Sequence, residues 1–163
     1  MRNTILSAIA TFLILSCQSV FAQKWADDID LQQKNLNYLQ GQIFASNERI
    51  LALNTTNFIS ARQDAHDLQA QMADHLQAIG FMLTNIKIQQ MLFEMITSPT
   101  QIANAKKLMQ VRQRQLMREL SLRTGVIERQ SKFSKDDETT RFIFETRDLV
   151  RSTQELINTS FKY

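Results

Sequence analysis

The sequence predicts an all-α protein, an elongated bundle of three to four helices with coiled-coil-like seams. Three observations lead there. The 163 residues include only 3 Gly and 1 Pro, too few for sheets joined by tight turns. Apolar residues recur at spacings of seven, with companions three or four positions on, which is the period of helix faces and not of strands. The single cysteine, Cys17, falls near the N-terminus. The rest of the chain therefore has neither disulfides nor thiolate metal ligands, and a hydrophobic core has to hold it together.

The N-terminus has the three parts of a secretory signal. Arg2 supplies the positive charge, residues 5–15 an apolar run interrupted only by Ser7 and Thr11, and Val20-Phe21-Ala22 a cleavage site before Gln23. The apolar run is shorter than the roughly 20 residues a spanning helix needs. Residues 1–22 are therefore expected to be a signal peptide, and residues 23–163 a single helical-bundle domain exported to the periplasm or cell surface. Cys17 after Ile14-Leu15-Ser16 offers lipid anchoring as a minority alternative, weakened by bulky Leu15 where such signals prefer a small residue.

The first mature helix is expected from about residue 28 to 53. Ile29, Leu36, Ile43 and Ile50 recur at seven, Leu39 and Leu53 fall three residues after two of them, and Gln32 and Ser46 are polar gaps. Asp27, Asp28 and Asp30 suit a helix N-terminus, and Asn54-Thr55-Thr56-Asn57 weakens helix. The second helix, 60–97, repeats Ala65, Met72, Ile79, Ile86 and Phe93, with Leu68, His75, Met82 and Ile96 in the companion row. Leu76, Leu83 and Leu92 widen its stripe, so it should be buried against more than one neighbour.

Thr97-Ser98-Pro99 marks a boundary, with Ser98 placed to cap and Pro99 at the first helical position. The third helix should reach Thr124 and stop at Gly125. Ser134-Lys135-Asp136-Asp137 resembles a capping box opening a last helix that reaches Phe161. In that helix Phe142, Leu149 and Leu156 run beside Ile143, Val150 and Ile157.

The net charge of +3 hides a sorted distribution. Residues 104–132 carry Lys106, Lys107, Arg112, Arg114, Arg118, Arg123, Arg129 and Lys132 against Glu119 and Glu128, a local +6. The favoured expectation is a solvated face offset by the acidic first two helices. A docking face for an acidic partner or anionic lipid comes second, and nucleic acid last, because no aromatics interleave as a stacking platform requires.

Catalytic and cofactor chemistry finds no motif. His66 and His75 stand near Asp64, Asp67 and Asp74, but nine residues rotate a helix by about 900°, placing the imidazoles on opposite faces. No nucleophile elbow, phosphate loop or paired Glu-x-x-His is present, and Glu94, the acid deepest in an apolar run, has no obvious partner. No metal and no cofactor are expected, and no enzyme activity. Met82, Met91, Met95, Phe81 and Phe93 form a soft apolar stretch that reads as core, with promiscuous binding as the alternative.

An exported helical chain of this size, whose first helix carries Leu31-Gln32-Gln33-Lys34-Asn35-Leu36-Asn37-Tyr38-Leu39-Gln40, resembles the minor pilin at the pilus tip of type IV secretion systems, the VirB/TraC type. The resemblance rests on architecture and texture. It implies a non-enzymatic bundle that assembles with pilus or other envelope proteins and helps contact a target cell; a host-cell surface, anionic lipid and a second copy of the chain are the further partner options. The expected contact surfaces are the first-helix seam (Ile29, Leu36, Ile43, Ile50) and the basic segment (Lys106, Lys107, Arg112, Arg114, Arg118, Arg123). The main rival is a periplasmic holdase chaperone.

Overall fold

The computed structural model describes residues 2–52 and 60–160, with side chains described at 24–52 and 62–159. It contains α1 (Arg2–Ala52), α2 (Ser60–Glu94), α3 (Pro99–Gln130) and α4 (Asp137–Ser160), and no strand among the described residues. The side chains of the expected signal, including Cys17 and the Val20-Phe21-Ala22 site, lie outside the described residues, as do Leu53, the Asn54-Thr55-Thr56-Asn57 break and Phe161.

Pairs between helices give the topology. Lys87 Nζ on α2 meets Asp30 on α1 at 2.5 Å. Gln130 on α3 bonds Gln71 on α2. Gln154 on α4 donates to Ser121 on α3 at 3.0 Å, and Arg49 on α1 meets Glu138 on α4 at 3.0 Å. Lys87 near the end of α2 thus meets α1 well before its end, and Gln130 and Arg49 at helix ends meet Gln71 and Glu138 near helix starts. Ser121 precedes Glu128 along α3, whereas their partners Gln154 and Arg151 come in the reverse order along α4. Neighbours therefore run antiparallel in an up-down-up-down four-helix bundle. Helices α2 and α4 also pack in parallel across a short diagonal, where Gln69 donates to Thr139 at 2.9 Å. Among the described residues the backbones of α1 and α3 do not come within 8 Å of each other, Cα to Cα. At 1.5 Å per residue α2 alone is about 50 Å long, so the bundle is elongated.

Helix α1 presents Ile29, Gln32, Leu36, Leu39, Ile43 and Ser46 to the core, alternating steps of three and four. Helix α4 does the same with Thr139, Ile143, Thr146, Val150, Thr153 and Ile157. One of its two core rows is thus entirely threonine. Gln32 Nε2 crosses to this row, donating to Ser152 Oγ at 2.7 Å, to Thr153 Oγ1 at 3.0 Å and to the Leu149 carbonyl at 3.0 Å. Such directional contacts specify register where apolar residues alone would tolerate slippage.

Five expectations about local structure are corrected. Helix α1 begins well before residue 28, because Gln23-Lys24-Trp25-Ala26 contains no helix breaker and Trp25 packs against the core. Helix α2 ends at Glu94, three residues before Thr97, where Met95 and Ile96 tighten to bonds with Leu92 and Phe93. Its core row is Ala65, Gln69, Met72, Leu76, Ile79, Leu83 and Ile86; Leu68 is buried as expected, but Gln69 joins the row and Leu76 and Leu83 take the places expected for half-buried His75 and Met82. Gly125 does not stop α3, since its φ is not positive and fully buried Ile127 anchors a further turn to Gln130. Finally, Asp136 caps α4 in place of Ser134, its carboxylate accepting from the Thr139 N–H at 2.7 Å. Ser98 does stand at the N-cap of α3 with Pro99 next, but makes no side-chain cap bond.

Candidate functional site

The first-helix seam lies inside the chain. Ile29, Leu36 and Ile43 are buried and Ile50 is half-buried, covered by α2 and α4. In the monomeric bundle these side chains are core and not an outward contact surface. Other apolar residues of α1, Leu31, Tyr38, Phe44 and Leu51, are exposed.

The basic segment divides in two. Arg123 is engaged within the bundle, pairing with Glu119 at 2.9 Å and approaching His75 Nδ1 at 3.2 Å. Burial, reinforced by Arg123, holds the His75 imidazole below its ordinary value of 6.5, against smaller opposing effects from Gln130 and Asp74. Lys106, Lys107, Arg114 and Arg118 are exposed and Arg112 is half-buried. Among the described residues, Lys107, Arg112, Arg114 and Arg118 have no carboxylate within salt-bridge distance. On the first two helices Asp30 pairs with Lys87 and Asp64 with Lys135, and on α3 itself Glu128 pairs with Arg151.

The soft stretch of α2 also divides. Met82 and Phe93 pack against the core, whereas Phe81, Met91 and Met95 are exposed at 63%, 57% and 77%. Phe81, Ile88, Leu92 and Met95 form a second stripe with Asn85, spaced four-three-four-three and all solvent-facing. By rotation it sits roughly 180° from the core row. Leu92, expected on a widened core face, is exposed on this opposite stripe. One apolar stripe of α2 is thus buried and the opposed one is exposed.

Between Ile86 and Met109 no residue is buried. The C-terminal end of α2 and the first turns of α3 therefore form a bare hairpin tip. The other candidate sites are ordinary surface. His66 bonds Asp67 at 3.2 Å, and Glu94 is exposed and accepts from Gln90 at 3.1 Å. No group of three or more potential metal ligands gathers among the described residues. A shallow groove near the α3–α4 turn is lined by Asp64, Gln71, Lys132, Phe133 and Lys135, with Asp64 and Lys135 joined at 2.8 Å.

Comparison with protein-family models, curated proteins and solved structures finds no match.

Proposed function

We propose that this chain is a non-enzymatic, exported helical subunit of a type IV secretion or conjugation apparatus, acting in pilus-associated assembly or adhesion. The observation that carries the reading is the contrast between a core closed within one chain and the bare α2–α3 tip with unpaired cations behind it. A rigid bundle of this kind offers a contact surface at one end, as an assembly or adhesive subunit requires. The N-terminal charge, apolar run and small-residue site support export.

Fractionation of cells producing the tagged protein tests this. Recovery with sheared surface filaments is the expected result, and crosslinking would then identify its neighbours. Recovery only as soluble periplasmic protein would overturn pilus association.

Exposed Phe81, Met91 and Met95 favour one second reading, a periplasmic holdase for unfolded clients. A holdase would suppress aggregation of unrelated unfolded proteins at stoichiometric amounts, and an assembly subunit would not.

A further inference from the structure

We infer that the α2–α3 hairpin tip docks on an anionic lipid surface, seating its apolar end at the headgroup boundary while the cations of α3 meet lipid phosphates. The inference goes beyond the proposed function and does not depend on pilus membership.

Charge selects the occupant. From residue 95 to residue 118 the chain has five basic residues and no acidic one, and Lys107, Arg112, Arg114 and Arg118 have no carboxylate partner among the described residues. A cationic surface this one-sided is complementary to an anionic leaflet, where each nearby Lys or Arg adds about 1 kcal/mol of attraction.

The order of chemistry along the axis selects it too. Met95, Leu92, Met91 and Ile88 lie within roughly 10 Å of the tip on α2. On α3, Lys107 follows Pro99 by about 12 Å, and Arg114 and Arg118 follow by about 22 and 28 Å on the same helical face, so they meet phosphates with the hairpin tilted onto that face. Interfacial helices bury their apolar side about 5–10 Å deep, with long cationic side chains reaching to the headgroups. The tip has that sequence of layers.

Shape and position agree. Gln113 Nε2 donates to the Ile157 carbonyl at 3.4 Å. From that level α3 runs back about 20 Å to Pro99, past the described part of α4. The α2–α3 tip therefore projects beyond the described part of α4. No described helix is long and apolar enough to cross a membrane, so the contact is interfacial.

The test is cosedimentation of the purified protein with vesicles of phosphatidylcholine alone or mixed with phosphatidylglycerol, all variants carrying the same N-terminus. The expected result is binding to the mixed vesicles, weakening as salt rises, and little binding to phosphatidylcholine. Leu92→Ser with Met95→Ser should weaken binding at least about tenfold. Lys107→Glu, Arg114→Glu and Arg118→Glu together should weaken it at least about a hundredfold. All these side chains are exposed, so circular dichroism should show unchanged helix content.

Absence of binding to mixed vesicles would overturn the inference. So would binding that both variants leave undiminished, or equal binding to both vesicle types at any salt. Self-association without vesicle binding, abolished by the apolar pair, would assign the tip to a second copy instead. Filament fractionation reads none of these outcomes, so either proposal can fail alone.

Discussion

Arg123 Nη1 stands 3.2 Å from His75 Nδ1, and both side chains lie partly buried between α3 and α2. A guanidinium cannot accept a proton, so only the neutral imidazole can take this hydrogen bond. The pair joins two helices that share few other polar contacts, and its integrity depends on the protonation state of one ring.

Stability should therefore fall in mild acid. The folded pKa of His75 is lowered and the unfolded value is near 6.5. The contribution is complete above that value, because the ring is then neutral in both states. As pH drops below it the unfolded chain takes up the proton first, and stability declines until the folded pKa is passed. Urea denaturation at a series of pH values should show this slope, and His75→Gln should flatten it.

Two threonines of one heptad row should respond in opposite directions. Thr146 Oγ1 is buried with no hydrogen-bond partner, whereas Thr153 Oγ1 accepts from Gln32 and donates to the Leu149 carbonyl at 2.7 Å. Thr146→Val removes an unsatisfied hydroxyl and should stabilise the bundle by about 1 kcal/mol; Thr153→Val should cost about as much. Thermal unfolding of the two variants would show Tm moving up in the first and down in the second.

Gly125→Ala should stabilise. The residue sits inside α3, and an added Cβ would meet only Arg129 Nη1 at 3.8 Å, an ordinary contact. Alanine in a helix interior gains about 0.5–1 kcal/mol over glycine. A drop in Tm would mean that α3 needs a break at this position after all.

Ile43→Ala should cost about 2–5 kcal/mol, since the side chain is fully buried. Because the seam is closed by α2 and α4 of the same chain, the denaturation midpoint of wild type and variant should not change with protein concentration. A midpoint that rises with concentration would instead make the seam an interface between chains.

Much of the fold was legible in advance, because a helix writes its buried face into the sequence as a repeat. Ile29, Leu36, Leu39 and Ile43 were identifiable as one face, and all are buried. Pro99 set the start of α3 because it has no N–H to leave unpaired. Misreadings arose where polar residues occupy core positions. Thr139, Thr146 and Thr153 keep the heptad spacing, but their hydroxyls hid them from a search for apolar rows. On α2, buried Gln69 had the same effect, and the companion row was drawn one residue away, through His75.

The candidate surface was less legible, for a different reason. The cations of residues 104–132 are countable in the sequence, and so is the four-three spacing of Phe81, Asn85, Ile88, Leu92 and Met95. Neither says whether an acid or a neighbouring helix covers them.

The sequence by itself determined that this chain is helical, where its apolar rows run, and that its positive charge gathers in the third helix. These are local properties, set by periodicity, by the scarcity of glycine and proline, and by the order of charges along the chain. Only the tertiary structure decided that the α1 seam faces inward, that Arg123 is engaged with Glu119 and His75, and that Lys107, Arg114 and Arg118 have no carboxylate partner among the described residues. Pairing between residues dozens of positions apart depends on which helices become neighbours, and no single helix carries that information.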